Sequence, residues 1–164
     1  MLSWRRASAR PGAGLECWTV VLGMALLALN DHALKGADIV PAWLTGKLSD
    51  FAGLLFFPLL LQAVLELTQK LGGRYHGPNN RLLLGLTVLT ALVFTAIQCF
   101  EAAGEAYSWA LAWLQWLPEL VHGSTSGPRV PVAHYADVSD TVALLSLGGA
   151  YLCGLWKPRD NDAL

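Results

Sequence analysis

The chain has 164 residues, of which 54% are apolar and only 14% charged, with a mean hydropathy of +0.44. Soluble domains carry about a quarter charged residues, so the composition points away from a single water-soluble domain and excludes disorder and collagen. Eleven Lys and Arg against twelve Asp and Glu give a formal net charge of −1. No basic field favours nucleic acid, and the partner this composition implies is the lipid bilayer.

In chain order, Arg5, Arg6 and Arg10 precede an apolar run from Cys17 to Leu29. No clean A-x-A cleavage site precedes Asn30, so the segment reads as an uncleaved signal anchor forming a first span over about residues 12–29. A second span is expected over 51–67, opening at Phe51 and carrying Pro58 as an internal kink. The third, over 82–100, is the clearest, because Leu82 to Phe100 holds no charge across nineteen residues. Trp109, Trp113 and Trp116 then recur at helical spacing, which predicts an interfacial or re-entrant helix over about 105–118. Gly123 to Pro131 reads as a turn-rich loop, and a fourth span is expected over 139–156. The predicted fold is all-α, a polytopic membrane protein of four transmembrane helices plus the Trp-rich helix.

Orientation follows from Lys and Arg, which are enriched in cytoplasmic loops. With the N-terminus inside, Arg5, Arg6, Arg10, Lys70, Arg74, Arg81, Lys157 and Arg159 lie on the inner side and only Lys35, Lys47 and Arg129 outside. Acids reverse the pattern: Asp31, Asp38, Asp50, Glu101, Glu105, Glu119, Asp137 and Asp140 lie outside. Both termini are therefore expected in the cytoplasm. Small residues every fourth position, Thr87, Ala91, Thr95 and Cys99 on the third span and Ser146, Ala150 and Gly154 on the fourth, predict contact between those helices or with partner helices of an oligomer. Cys17, Cys99 and Cys153 form no CxxC pair and read as reduced, buried thiols. Gln62 and Gln98 read as interhelical hydrogen-bond formers. The stretches Leu48 to Leu55 and Val138 to Leu145 are alike enough to predict a repeated hairpin.

The outer ends of the spans hold the unusual residues. Asn30, Asp31 and His32 close the first, Lys47, Ser49 and Asp50 open the second, and Asp137, Ser139 and Asp140 open the fourth. Helix ends at one depth of a small bundle lie near each other, so these nine are the expected ligand-binding residues. Clustered carboxylates need a positive charge among them, and Asp31, His32, Asp50, His134, Asp137 and Asp140 form the corresponding expected set for a divalent metal ion. The competing reading has Ser49 and Ser139 as N-caps, with Asp50 and Asp140 favouring the positive end of each helix dipole.

The segment Thr45-Gly46-Lys47-Leu48-Ser49-Asp50-Phe51-Ala52-Gly53-Leu54, preceded by Asn30-Asp31-His32-Ala33-Leu34-Lys35, resembles a pattern in small polytopic bacterial membrane proteins of uncharacterised function. The resemblance covers about the first half of the chain and Asp137 to Leu144. It implies a bacterial inner membrane and no particular reaction. With no GxSxG elbow, P-loop or HExxH motif present, the expected function is binding of a cation or polar ligand at the outer face. The alternatives are a metal-dependent membrane enzyme acting on lipid or peptide, and a structural or assembly subunit of a membrane complex.

Overall fold

The computed structural model describes residues 10–34, 40–122, 130–132 and 136–155. Every regular element among them is helical: α1 (Trp18–Leu29), α2 (Ala42–Leu71), α3 (Asn80–Cys99), α4 (Glu101–His122) and α5 (Leu145–Gly154), with short 3-10 helices at Ala13–Glu16 and Val138–Leu144. Two are long and apolar enough to cross a membrane, Trp43–Leu71 and α3. Trp18–Leu34 and Val138–Gly154 are shorter apolar segments.

The described residues fall into two compact units, Met1–Ala91 with Val142–Leu164, and Leu92–Thr141. In the first, α2 packs against α1 and against α5. Val20, Leu59, Leu83 and Ala150 form the buried centre. Around it the usual soluble distribution is inverted. Leu22, Leu26 and Leu29 of α1, Val64 and Leu67 of α2, and Leu145 and Leu152 of α5 are all exposed, a surface suited to hydrocarbon. Gly154 shows why α5 needs its small residues: a Cβ there would lie 2.5 Å from Leu59 Cδ2 and 2.6 Å from Leu83 Cδ2. The predicted stripe on α5 is thus used, but branched leucines of α2 and α3 fill its notch, in place of an opposing row of small residues.

Several boundaries differ from expectation for local reasons. α-helix begins at Trp18, since Ala13–Glu16 is a 3-10 turn and Cys17 is extended. α2 begins nine residues before Phe51, entered from Pro41 at φ −55° and ψ 138°, and it runs through Pro58 without ending. Ser49 and Asp50 therefore sit inside a helix, and the N-cap reading of Ser49 is wrong. α3 begins at Asn80, where Asn79 Oδ1 accepts the N–H groups of Arg81 (2.9 Å) and Leu82 (3.2 Å) and so acts as the cap. α4 is longer than the predicted 105–118, and Trp113 and Trp116 meet edge to face at 5.8 Å. Leu48–Leu55 is α-helical whereas Val138–Leu144 is 3-10, so the two stretches are not a structural repeat.

Cysteine pairing also departs from the reading of three reduced thiols. Cys17 and Cys153 form a disulfide, with Cα atoms 5.8 Å apart, joining the start of α1 to the end of α5. Thr19 Oγ1 lies 2.9 Å from the sulfur of Cys153. Cys99 is a free, exposed thiol.

Candidate functional site

The site grows from one residue at the end of α1. After Leu29 the helix loosens into a single π turn, Asn30–Leu34, a widening that recurs at functional positions because it re-aims side chains. Asn30 is completely buried. Its amide nitrogen donates to the carbonyl of Thr45 at 2.8 Å and to Ser49 Oγ at 2.8 Å. Both acceptors lie on α2, one turn apart, so the early start of that helix is what presents them. The Ser49 hydroxyl donates onward to Asp31 Oδ1 (3.1 Å), with Thr45 O also near at 3.3 Å.

The donors and acceptors do not balance. The described hydrogen bonds run from the Asn30 amide to Thr45 O and Ser49 Oγ, and from Ser49 on to Asp31. The other half of the same amide, Oδ1, is buried and has no hydrogen-bond partner among the described residues. A buried carbonyl oxygen left unsatisfied costs about 1–3 kcal/mol, and buried polar atoms in folded proteins almost always find a donor. Among the described residues Asn30 Oδ1 therefore lacks a donor.

The nine predicted ligand residues divide accordingly. Asn30, Asp31 and Ser49 are joined in one network with Thr45, a residue the motif reading had placed outside the set. His32 lies exposed in the π turn, and Lys47 and Asp50 are half-buried on α2. Asp137 and Ser139 belong to the Leu92–Thr141 unit and serve local structure there: Asp137 Oδ1 accepts the N–H of Ser139 at 2.8 Å, and its carbonyl accepts the N–H of Asp140 at 2.9 Å. Asp137, not Ser139, caps the 3-10 helix. Gln98 Oε1 accepts the N–H of Asp137 at 3.1 Å, a bond to a loop, not the interhelical bond expected. His134 lies outside the described residues. Among the described residues no group of three or more His, Cys, Asp and Glu side chains is placed to hold a metal ion.

One buried acid escaped sequence reasoning. Glu66, near the end of α2, is 2% exposed and accepts hydrogen bonds from Gln62 Nε2 at 2.7 Å and from the backbone N–H of Gly12 at 3.0 Å. Gly12 has φ 76°, a left-handed conformation that glycine adopts without steric cost, and the turn it makes aims that N–H at the carboxylate. The signal was the Gln62–Glu66 pair, four residues apart on one helix face. Nearby, burial first and the Glu66 charge second push the Tyr75 phenol above its ordinary value of 10.0.

The chain matches no protein-family model, no curated protein and no solved structure.

Proposed function

We propose that this chain is a four-span inner-membrane protein, with both termini in the cytoplasm, that binds a small cation at its outer face through Asn30 Oδ1 and the Asp31 carboxylate. The observation that carries the reading is the completely buried Asn30 carbonyl, without a donor among the described residues, beside an amide nitrogen that donates to Thr45 O and Ser49 Oγ. A cation at that oxygen would satisfy it and would offset the Asp31 charge at the membrane boundary.

Four spans are supported by length as well as by the apolar exterior. Val138–Gly154 combines seven 3-10 residues with ten α-helical ones. At rises of about 2.0 and 1.5 Å per residue, the segment reaches about 29 Å, close to the ~30 Å hydrocarbon core. The 3-10 stretch thus lets 17 residues do what α-helix would need about 20 to do. The inner-membrane location rests on the resemblance of the Thr45 to Leu54 segment to bacterial proteins.

The test is thermal unfolding of the purified protein in lipid nanodiscs with sodium, potassium, magnesium or calcium chloride, in wild type and in Asn30→Ala. At least one cation is expected to raise the wild-type midpoint and to leave Asn30→Ala unmoved. A wild type indifferent to all four, or an Asn30→Ala protein that responds equally, overturns the proposal.

A further inference from the structure

The Leu92–Thr141 unit holds a cavity of about 800 Å³, within the range of small-molecule sites. One wall is a stripe of α4. Glu101, Glu105 and Trp109 follow one another at four-residue intervals and so share a helix face, and all three line the cavity. Facing them are Pro131 and Val132, held to α4 by the Val132 N–H, which donates to Ser108 O at 3.4 Å.

The floor carries the second observation. Gln98 lines the cavity and is only 4% exposed. Its Oε1 is engaged by the Asp137 N–H, which fixes the amide's orientation, and its Nε2 has no partner among the described residues. As part of a largely buried side chain that lines the cavity, this nitrogen remains available to donate to an acceptor oxygen of a ligand. The two glutamates make the opposite demand. They have no ion-pair partner among the described residues, and like charges four residues apart on a helix repel one another. The indole of Trp109 adds a π face beside them, which attracts organic cations. A bare metal ion would use neither the aromatic and apolar walls nor the amide donor.

We propose that this cavity binds the ammonium group of an aminoalcohol, either free or as the headgroup of a phospholipid. The ammonium lies between the Glu101 and Glu105 carboxylates against the Trp109 face, and the neighbouring oxygen accepts from Gln98 Nε2. The site is separate from Asn30 and stands whether or not that residue binds a cation.

The experiment uses the full chain in nanodiscs of phosphatidylglycerol, which contain no ammonium group. Ethanolamine is titrated by isothermal calorimetry into wild type, Glu105→Gln, Trp109→Leu and Glu16→Gln, and each protein's unfolding midpoint is also measured with phosphatidylethanolamine replacing part of the lipid. Glu105 and Trp109 are exposed, so their replacement leaves the fold intact, and Glu16 lies in the other unit as a control. Binding of free ethanolamine, weakened about five-fold or more by Glu105→Gln and by Trp109→Leu but not by Glu16→Gln, supports the soluble ligand. A midpoint raised only by phosphatidylethanolamine, and lost in the same two variants, supports the headgroup. Silence in both arms, or equal responses in all four proteins, overturns the proposal.

Discussion

Replacing Asn30 separates an unsatisfied carbonyl from an ordinary buried amide. In Asn30→Ala the protein loses two donated hydrogen bonds, each contributing about 1 kcal/mol or, by the average for membrane helices, about 0.6. It also sheds a buried oxygen that costs about 1–3 kcal/mol while empty. The two nearly cancel, so in the absence of added cation Asn30→Ala is expected within about 1 kcal/mol of wild type. Asn30→Asp has the same shape and the opposite consequence. Its second oxygen faces Thr45 O and Ser49 Oγ, where a donor belongs, and burial opposes ionisation, so it should cost about 3 kcal/mol or more. For a chain of this size 1 kcal/mol moves the unfolding midpoint by about 2–4 °C. The assay is circular dichroism on heating in detergent. Asn30→Ala should fall by less than about 4 °C and Asn30→Asp by about 6–12 °C. A drop in Asn30→Ala as large as that in Asn30→Asp would refute the reasoning, because the carbonyl would then already be satisfied.

Thiol titration of purified, unreduced protein should find one reactive cysteine, Cys99, rising to three after reduction and denaturation; three at the outset would deny the Cys17–Cys153 bond. In the proposed orientation Cys99 lies at the outer end, so an impermeant maleimide added to intact cells is expected to label it, and labelling only after lysis would reverse that orientation. Gly154→Ala should destabilise by about 1–3 kcal/mol, since the new methyl meets Leu59 and Leu83 in a packed core; an unchanged midpoint would show that α5 can shift freely. For Tyr75 the folded pKa is raised above 10.0, so the folded state holds its proton longer. Its contribution to stability is present below the unfolded value and is lost as pH rises through the folded one. Absorbance titration should show its phenolate forming above pH 10 and earlier in Glu66→Gln, and identical curves would remove Glu66 as a cause.

Much of the architecture was legible because one signal, long apolar runs with few charges, is written in every residue of a long apolar helix. α3 was placed to within two residues for that reason. The ends were less legible. Thr45 to Asp50 is polar enough to read as a loop with a serine cap, yet it is helical, because Pro41 starts α2 earlier and Asn30 ties two of its turns to α1. Of the candidate site, the sequence pointed to Asn30, Asp31 and Ser49 but could not reveal that Asn30 was buried or that one of its two amide atoms lacked a partner. Burial of a given atom depends on which neighbour covers it. Glu66 was hidden in the same way, since its bond to Gly12 spans 54 positions and rests on one left-handed turn.

Composition and the length of the apolar runs were sufficient to indicate helices, two of them long and apolar enough to cross a membrane, since a helix satisfies its backbone hydrogen bonds within one segment. Only tertiary structure decided which polar groups meet. It joined Cys17 to Cys153, tied Asn30 to Thr45 and Ser49, and left Asn30 Oδ1 without a donor among the described residues, because such outcomes depend on short distances between residues separated along the chain.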